Sequence, residues 1–297
     1  MSEFSVLVGD ALDRLDDIEP ESVDTCITSP PYWGLREYTD GDDELGIESN
    51  PQDFIDSLVL ILRAVKRVLK PEGTLWLNIG DTYVKKQLQM IPARVAMALQ
   101  EDGWFLRQEI IWAKPNPMPE PSRDRCSRNH EVIYLLAKSK KYYFDFDAIK
   151  EKSINKKVAG PNMKTTQHYG AGNGGNAGLL EWKKKFHKTG TPFRRKRSVW
   201  WIPVVPFKGA HFATFPPQLI EPCVLAGSPV GGMVLDPFAG SGTTLGVAVK
   251  HGRNAIGIEL NSEYAELIPK RVSQIVGHLV QADEQIPHTP TFGEWFI

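Results

Sequence analysis

The sequence predicts an α/β protein built on one twisted, mostly parallel sheet, with helices on both faces and a basic insertion. Three observations carry that expectation. Short apolar runs ending in Gly, Ser, Pro or Asp alternate with longer amphipathic runs in the first half of the chain, and the alternation resumes towards the C-terminus. Between these two regions, residues 150–197 hold thirteen Lys/Arg against two acids, Glu151 and Glu181, a net of +11. At 297 residues, with 41% hydrophobic and 24% charged content, the chain is long and apolar enough to bury a substantial core.

Phe4–Val8 and Val23–Thr28 are apolar runs that stop at Gly9-Asp10 and Ser29-Pro30-Pro31, as buried strands entering loops do. Asn50-Pro51 opens a helix with apolar positions at Phe54, Leu58, Leu62, Val65 and Leu69, and Lys70-Pro71-Glu72-Gly73 ends it. Thr74–Ile79 reads as a strand ending at Gly80-Asp81, Pro92–Leu99 as a helix, and Phe105–Trp112 and Glu131–Ala137 as strands. The insertion contains the run from Tyr169 to Gly178, too rich in glycine to hold a helix or strand unaided. Beyond it, Pro217–Leu225 is expected to be helical, Met233–Leu235 a strand, Thr243–His251 a helix, Asn254–Ile258 a strand and Ser262–Val280 a long amphipathic helix. No internal repeat is visible.

The formal charge of −1 argues, as a sum, against a strongly basic nucleic-acid binder. Its distribution is more informative, because the chain outside 150–197 carries a net of −12. The basic stretch, with Trp182, Phe186 and Phe193 interleaved, is either a solvated loop or a segment that meets nucleic-acid phosphates. Three cysteines (Cys26, Cys126 and Cys223) make no disulfide framework, and no Cys-x-x-Cys pair is present. No apolar run is long enough to span a bilayer and no export signal opens the chain, so a soluble cytoplasmic protein is expected.

Two loops carry chemistry. In Leu235-Asp-Pro-Phe-Ala-Gly-Ser-Gly-Thr-Thr244 a strand runs into glycines and then a helix start, which lets backbone and N–H groups approach a ligand. No Lys precedes the threonines, so nucleotide hydrolysis is not expected. The next strand ends near Glu259, an acid placed to accept from ribose hydroxyls; the structural alternative is a turn with a capping acid. In Thr28-Ser-Pro-Pro-Tyr-Trp33, two prolines fix the backbone and remove two donors beside a hydroxyl and an aromatic ring. Rigid acceptors next to a stacking face suit a planar substrate bearing an amino group, against the alternative of an ordinary Pro-Pro turn.

Ser29-Pro-Pro-Tyr32 together with Asp236-Pro-Phe-Ala-Gly-Ser-Gly-Thr-Thr244 resembles the amino-group DNA methyltransferases, in the beta-class order of catalytic loop first and cofactor loop last. Glu109-Ile-Ile-Trp-Ala-Lys-Pro-Asn-Pro-Met-Pro119 and Arg128-Asn-His-Glu-Val-Ile-Tyr134 resemble the family's strand pair near the target base, and Ala210-His-Phe-Ala-Thr-Phe-Pro216 its second cofactor-contacting loop. Residues 4–150 and 198–275 are mostly covered. The resemblance implies a Rossmann-like methyltransferase fold with a catalytic half (1–149), a target-recognition insertion (150–197), a cofactor-binding half (198–280) and a C-terminal tail (281–297). It implies S-adenosyl-L-methionine as cofactor, contacted by Asp10, His211, Thr214 and Phe215, by the loop of Asp236, Pro237, Phe238, Ala239, Gly240, Ser241, Gly242, Thr243 and Thr244, and by Glu259 at the ribose. Phe215 or Phe238 would flank the adenine. Asp236 is either a ligand to the methionine amino group or a turn-capping residue.

Ser29, Pro30, Pro31 and Tyr32 are the implied catalytic residues, with the Ser29 hydroxyl and Pro30 carbonyl accepting the two amino hydrogens while Tyr32 stacks on a flipped base. The family's Ser form is typical of cytosine-N4 methylation, whereas adenine-modifying members usually carry Asp or Asn there. The implied partner is duplex DNA, contacted by Lys183, Lys184, Lys185, Arg194, Arg195, Lys196 and Arg197, and the presence of a companion restriction endonuclease acting on the same site stays open. Monomer and homodimer stay open. Arg123, Arg125 and Arg128 either grip phosphates or are loop charges; His130 and Glu131 either shape the base pocket or are structural. Trp33, Trp112, Trp200 and Trp201 are expected to pack, and Asp81 has no assigned role. Pro222-Cys223 superficially matches a C5-methyltransferase nucleophile, but Cys223 falls in an apolar helix pattern and reads as a core residue. No metal is expected, since Cys126 and His130 alone would be an incomplete site. The rivals to cytosine-N4 methylation are adenine-N6 methylation, methylation of RNA or another amino-bearing substrate, and a catalytically silent DNA-binding protein of the same fold.

Overall fold

Val23–Thr28 and Thr74–Ile79 are buried along almost their whole length, as strands covered by helices on both faces must be. The computed structural model describes residues 2–34, 45–152, 193–204 and 215–277. The chain divides into two units, Met1–Asp145 with Ser198–Ile297, and Phe146–Arg197.

The strands in chain order are β1 (Phe4–Val8), β2 (Val23–Thr28), β3 (Leu69–Ile79), a hairpin of β4 (Tyr83–Val84) and β5 (Gln87–Leu88), β6 (Phe105–Ala113), β7 (His130–Ala137), β8 (Glu151–Lys152), β9 (Phe193–Arg194), β10 (Val199–Trp201), β11 (Met233–Asp236) and β12 (Asn254–Glu259). Eight of them form one sheet in the order β1-β12-β11-β2-β3-β7-β6-β10. Its pairings are parallel except those of β7, which is antiparallel to both β3 and β6. β7 is therefore the one reversed strand of this sheet among the described residues. In the second unit β8 and β9 form a separate antiparallel pair.

The helices are α1 (Ala11–Asp16), α2 (Pro51–Val68), α3 (Ile91–Glu101), α4 (Pro217–Gly227), α5 (Thr243–Lys250) and α6 (Ser262–Gly277). Successive strand residues point to opposite faces, and the two helical layers divide accordingly. Cys26, Leu75 and Leu77 join the α1, α2 and α3 side chains in the main apolar core. Thr25 and Trp76 face α4, where a Cβ on Gly227 would lie 2.7 Å from Thr25 Oγ1 and 2.9 Å from Trp76 Nε1. The helix therefore sits flush on the sheet at Gly227.

Local signals explain most boundaries. Asn50 caps α2 by accepting from the Gln52 and Asp53 N–H groups, with Pro51 at its first turn. The expected end of α2 needs correcting by one residue: Leu69 leaves the helix to pair with Val23, and residues 70–73 bulge before the register resumes at Thr25–Thr74. The helix begun at Ser262 is described to Gly277, and its expected end at Val280 lies outside the described residues. Four features were not anticipated: α1, the β4–β5 hairpin, the β8–β9 pair and β10. Among the described residues no helix is long and apolar enough to cross a membrane.

Candidate active site

Because seven strands of the main sheet point the same way, their carboxyl ends share one edge, and the residues after them converge there. β2 leads through α2 to β3 on one side, while β11 leads through α5 to β12 on the other. The crevice between β2 and β11 is thus a topological switch point, where α/β sheets bind ligands.

Asp236 closes the base of that crevice. It is 1% exposed and its Oδ1 accepts from Thr28 Oγ1 at 2.6 Å and from the Phe238 N–H at 3.1 Å, while Oδ2 accepts from Thr244 Oγ1 at 2.5 Å. Burial pushes its carboxyl up to about 6, against the pull of these hydrogen bonds. With both oxygens taken by protein donors, the geometry favours the turn-organising alternative for Asp236 over the direct ligand. Thr244, expected at the cofactor, likewise points its hydroxyl inward to Asp236.

Glu259 ties the end of β12 to the glycine loop: Oε2 accepts from the Gly240 N–H at 2.8 Å and Oε1 from the Asn261 N–H at 3.0 Å. Burial raises its carboxyl above the usual range. Gly242, at φ +82, starts α5 with no side-chain cap, and a Cβ there would lie 2.6 Å from Ile268. Gly257 admits the loop in the same way, since its Cβ would meet Ala239 at 2.9 Å. A tightly held loop with backbone N–H groups at a helix start, beside a half-buried acid, fits a ligand with an anionic end and hydroxyls. Pro237, Ala239, Ser241 and Thr243 are buried within this loop, whereas Phe238, Gly240 and Phe215 are half-buried. Asp10, expected near an adenine amino group, is exposed and caps α1 by accepting from Leu12 and Asp13 N–H groups. His211 and Thr214 lie outside the described residues.

Ser29-Pro30-Pro31-Tyr32 leaves β2 on the other wall of the crevice, with Pro30 buried and Ser29, Pro31 and Tyr32 half-buried. Its contacts involve residues that the sequence did not single out together. Tyr32 Oη donates to Glu131 Oε2 at 2.8 Å and lies 3.4 Å from Asn78 Oδ1, and Ser29 Oγ donates to Tyr32 Oη at 3.3 Å. Asn78 donates to Glu131 Oε2 and to the Val132 carbonyl, both at 3.2 Å. Lys114 pairs with Glu131 Oε1 and sits 4.3 Å from the Trp112 ring centroid. The Tyr32 ring rests against Gly80, where a Cβ would come within 2.5 Å of it. Asn78, Gly80 and Lys114 were missed; their signal was position, each falling at a strand end that shares this edge.

Asp81 gains a structural role: Oδ1 accepts from the Thr82 and Ile91 N–H groups, which closes the base of the β4–β5 hairpin, and Oδ2 pairs with Arg128 at 3.3 Å. Arg128 is therefore committed to Asp81, and Arg125 to Glu120 at 2.5 Å and to the Tyr83 ring at 3.9 Å. Their expected grip on phosphates has to compete with these partners. Arg123 is exposed and lines, with Tyr83, Lys86 and Arg125, a cavity of about 750 Å³.

In the second unit, Arg194 and Arg197 both pair with Glu151 Oε1, at 2.8 and 2.9 Å, and Arg195 lies 5.7 Å from the Phe146 ring centroid. Lys196 is described there too, whereas Lys183, Lys184 and Lys185 lie outside the described residues. Cys223 is buried with its thiol directed at the Leu219 carbonyl, and Cys26 is fully buried, its thiol pushed up by burial. Both are core residues. Trp33, Trp112 and Trp200 pack as expected, but Trp201 departs from expectation at 58% exposed. Among the described residues no cluster of His, Cys, Asp and Glu could hold a metal ion.

The family model for N6/N4-type DNA methylases matches residues 23–270. The chain belongs to that family. This methylase is 41% identical over 296 residues to Type II methyltransferase M.SmaI of Serratia marcescens, covering 90% of both chains. It is 40% identical over 293 residues to Type II methyltransferase M.Cfr9I of Citrobacter freundii, covering 89% of this chain and 86% of the relative. Among solved structures it superposes on the PvuII DNA methyltransferase (cytosine-N4-specific) with a TM-score of 0.66 at 19% identity, over 95% of this chain and 94% of that one, a likeness of fold. A protein assigned as a DNA modification methylase from Thermus thermophilus, solved with S-adenosyl-L-methionine, superposes with a TM-score of 0.61 at 28% identity, over 92% of this chain and 96% of the other. The methylase thus has the Rossmann-like fold and the beta-class arrangement of the amino-methyltransferases.

Proposed function

We propose that this methylase transfers a methyl group from S-adenosyl-L-methionine to the exocyclic N4 of a cytosine flipped out of duplex DNA. The observation that carries the choice of base is Ser29. It stands at the head of the Pro-Pro-Tyr loop, across the β2–β11 crevice from the Asp236 loop, where adenine-modifying members of the resembled family carry Asp or Asn. The cofactor supplies an electrophilic methyl group on a sulfonium sulfur. Glu259 receives its ribose hydroxyls, the loop from Asp236 to Thr244 and the start of α5 receive the methionine part, and Phe238 or Phe215 covers the adenine.

The cytosine amino nitrogen is a poor nucleophile because its lone pair is delocalised into the ring. Ser29 Oγ and the Pro30 carbonyl would accept its two hydrogens and favour a tetrahedral nitrogen aimed at the methyl group; as the N–C bond forms the S–C bond would break, leaving the neutral thioether, and the nitrogen would shed one of these two protons. Tyr32, one face on Gly80, stacks on the base with the other. Positioning and fixed acceptors supply most of the acceleration. Arg194–Arg197 and Lys183–Lys185 contact the DNA, and a restriction endonuclease of the same site is the expected counterpart, in line with the Type II names of the relatives.

Digesting methylated DNA to nucleosides and weighing the product tests this directly. N4-methyldeoxycytidine is expected; N6-methyldeoxyadenosine would overturn the base, and preferential methyl uptake into RNA would overturn the substrate. Ser29→Ala is expected to slow transfer by about 100-fold or more, the scale of one lost transition-state hydrogen bond, while leaving cofactor affinity within a few fold.

A further inference from the structure

We propose that Glu131 is a positioning residue that fixes Ser29 as a hydrogen-bond acceptor, acting through Tyr32. The inference rests on the role given to Ser29 above and adds a reason why a hydroxyl can serve there. A serine hydroxyl rotates and can donate or accept. Facing an amino group it must accept; if it donated, it would instead welcome a keto oxygen or a ring nitrogen.

The chain of contacts removes that freedom. Glu131 forms an ion pair with Lys114, both side chains being 18% exposed, and a carboxylate only accepts. Tyr32 Oη, 2.8 Å from Glu131 Oε2, must therefore be the donor. Asn78 Oδ1, 3.4 Å away, is an acceptor too, because Asn78 spends its Nδ2 on Glu131 and the Val132 carbonyl. A phenol has one proton. With it committed, the 3.3 Å contact between Ser29 Oγ and Tyr32 Oη can only be made with the serine proton. Ser29 is left with lone pairs alone for the substrate. The charge of Glu131, two hydrogen bonds away, so sets the polarity of the group that meets the base. The same polarity repels a base with a keto oxygen in place of the amino group, which makes the chain a filter as well as a brace.

A double-mutant cycle tests the proposal. Wild type, Glu131→Gln, Tyr32→Phe and the double variant are compared by single-turnover methyl transfer to duplex DNA at saturating cofactor, with cofactor affinity and melting temperature measured alongside. Tyr32→Phe keeps the ring and removes the relay. Each single change is expected to slow transfer by about ten- to a hundredfold, the range for a lost hydrogen bond to a charged group. The double variant is expected to be no more than about twofold slower than Tyr32→Phe, since the effect of Glu131 passes through Tyr32. Multiplying slow-downs, or a Glu131→Gln enzyme as fast as wild type, would overturn the relay. If Glu131→Gln fails to bind cofactor, the cycle is run with Glu131→Gln plus Lys114→Met, which leaves no unpaired charge. Ser29→Ala separates the two levels: full activity there removes the role of Ser29 itself, whereas a slow Ser29→Ala with a multiplicative cycle removes only the relay.

Discussion

Asp236 is where burial and charge conflict most openly. In the unfolded chain its carboxyl titrates near 3.8, and in the fold at about 6. The folded pKa is the higher one, so the unfolded state ionises first as pH rises, and the fold loses on the order of 3 kcal/mol between these two values. A cationic ligand nearby reverses the preference. S-adenosyl-L-methionine carries a sulfonium and an ammonium group, and bound in the proposed crevice it would favour ionised Asp236. The rise in melting temperature that the cofactor produces should therefore grow between pH 5 and pH 7, by about the shift this free energy allows, and should be much flatter in Asp236→Asn. Glu259 is raised in the same sense, which is why the variant, rather than the wild-type profile alone, decides the matter. Equal pH dependence in both would remove Asp236 from the field of the cofactor. The residue-level reading found the two loops and left open what some of their side chains do. Asp236 and Thr244 hold each other, and no spacing rule tells a carboxylate that meets a ligand from one that folds the loop around it. Glu131 was noticed without its partners, because Lys114, Asn78 and Tyr32 come from three separate strand ends.

The long elements were legible because each carries a repeated signal: periodic apolar positions and a capped, Pro-led start in α2, and continuous burial in β2 and β3. The short ones carried none. The β4–β5 hairpin turns on Lys85 and Lys86, the two residues between paired Val84 and Gln87, both in the left-handed region at φ 49 and 68. Such a turn favours Asn-Gly, and lysines there give no turn signal and carry strain. Lys85→Asn with Lys86→Gly should stabilise the protein by about 1 kcal/mol, read as a higher denaturation midpoint at unchanged slope. Little is lost with Lys86, whose exposed pairing with Asp124 spans 3.6 Å. The reversal of β7 was equally invisible, since it is buried as continuously as the parallel-paired β2 and β3.

Over the whole molecule, a formal charge of −1 conceals an acidic body and a basic insertion. The second unit refines this further, because Glu151 neutralises part of the basic cluster by holding both Arg194 and Arg197. DNA phosphates would compete with that acid. Glu151→Gln is therefore expected to tighten duplex binding, whereas neutralising Arg194 and Arg197 should weaken it and reduce the slope of log affinity against log salt by about 0.9 for each phosphate that is no longer neutralised. Affinity indifferent to all three changes would make the insertion a solvated loop.

The reversed direction of β7 has an evolutionary corollary. A strand that ran with its neighbours would have to be reached from β6 by a crossover through a helical layer. Running against them, β7 is joined to β6 directly, by residues 114–129 at the edge that carries the proposed site. Lengthening such a connection costs only about 0.6 kcal/mol for each doubling, and it displaces neither helices nor strand pairings. The lining of the proposed base site could therefore be rewritten by insertion and drift at this one seam, while the Ser29-Pro-Pro-Tyr32 and Asp236 loops stay where the sheet holds them.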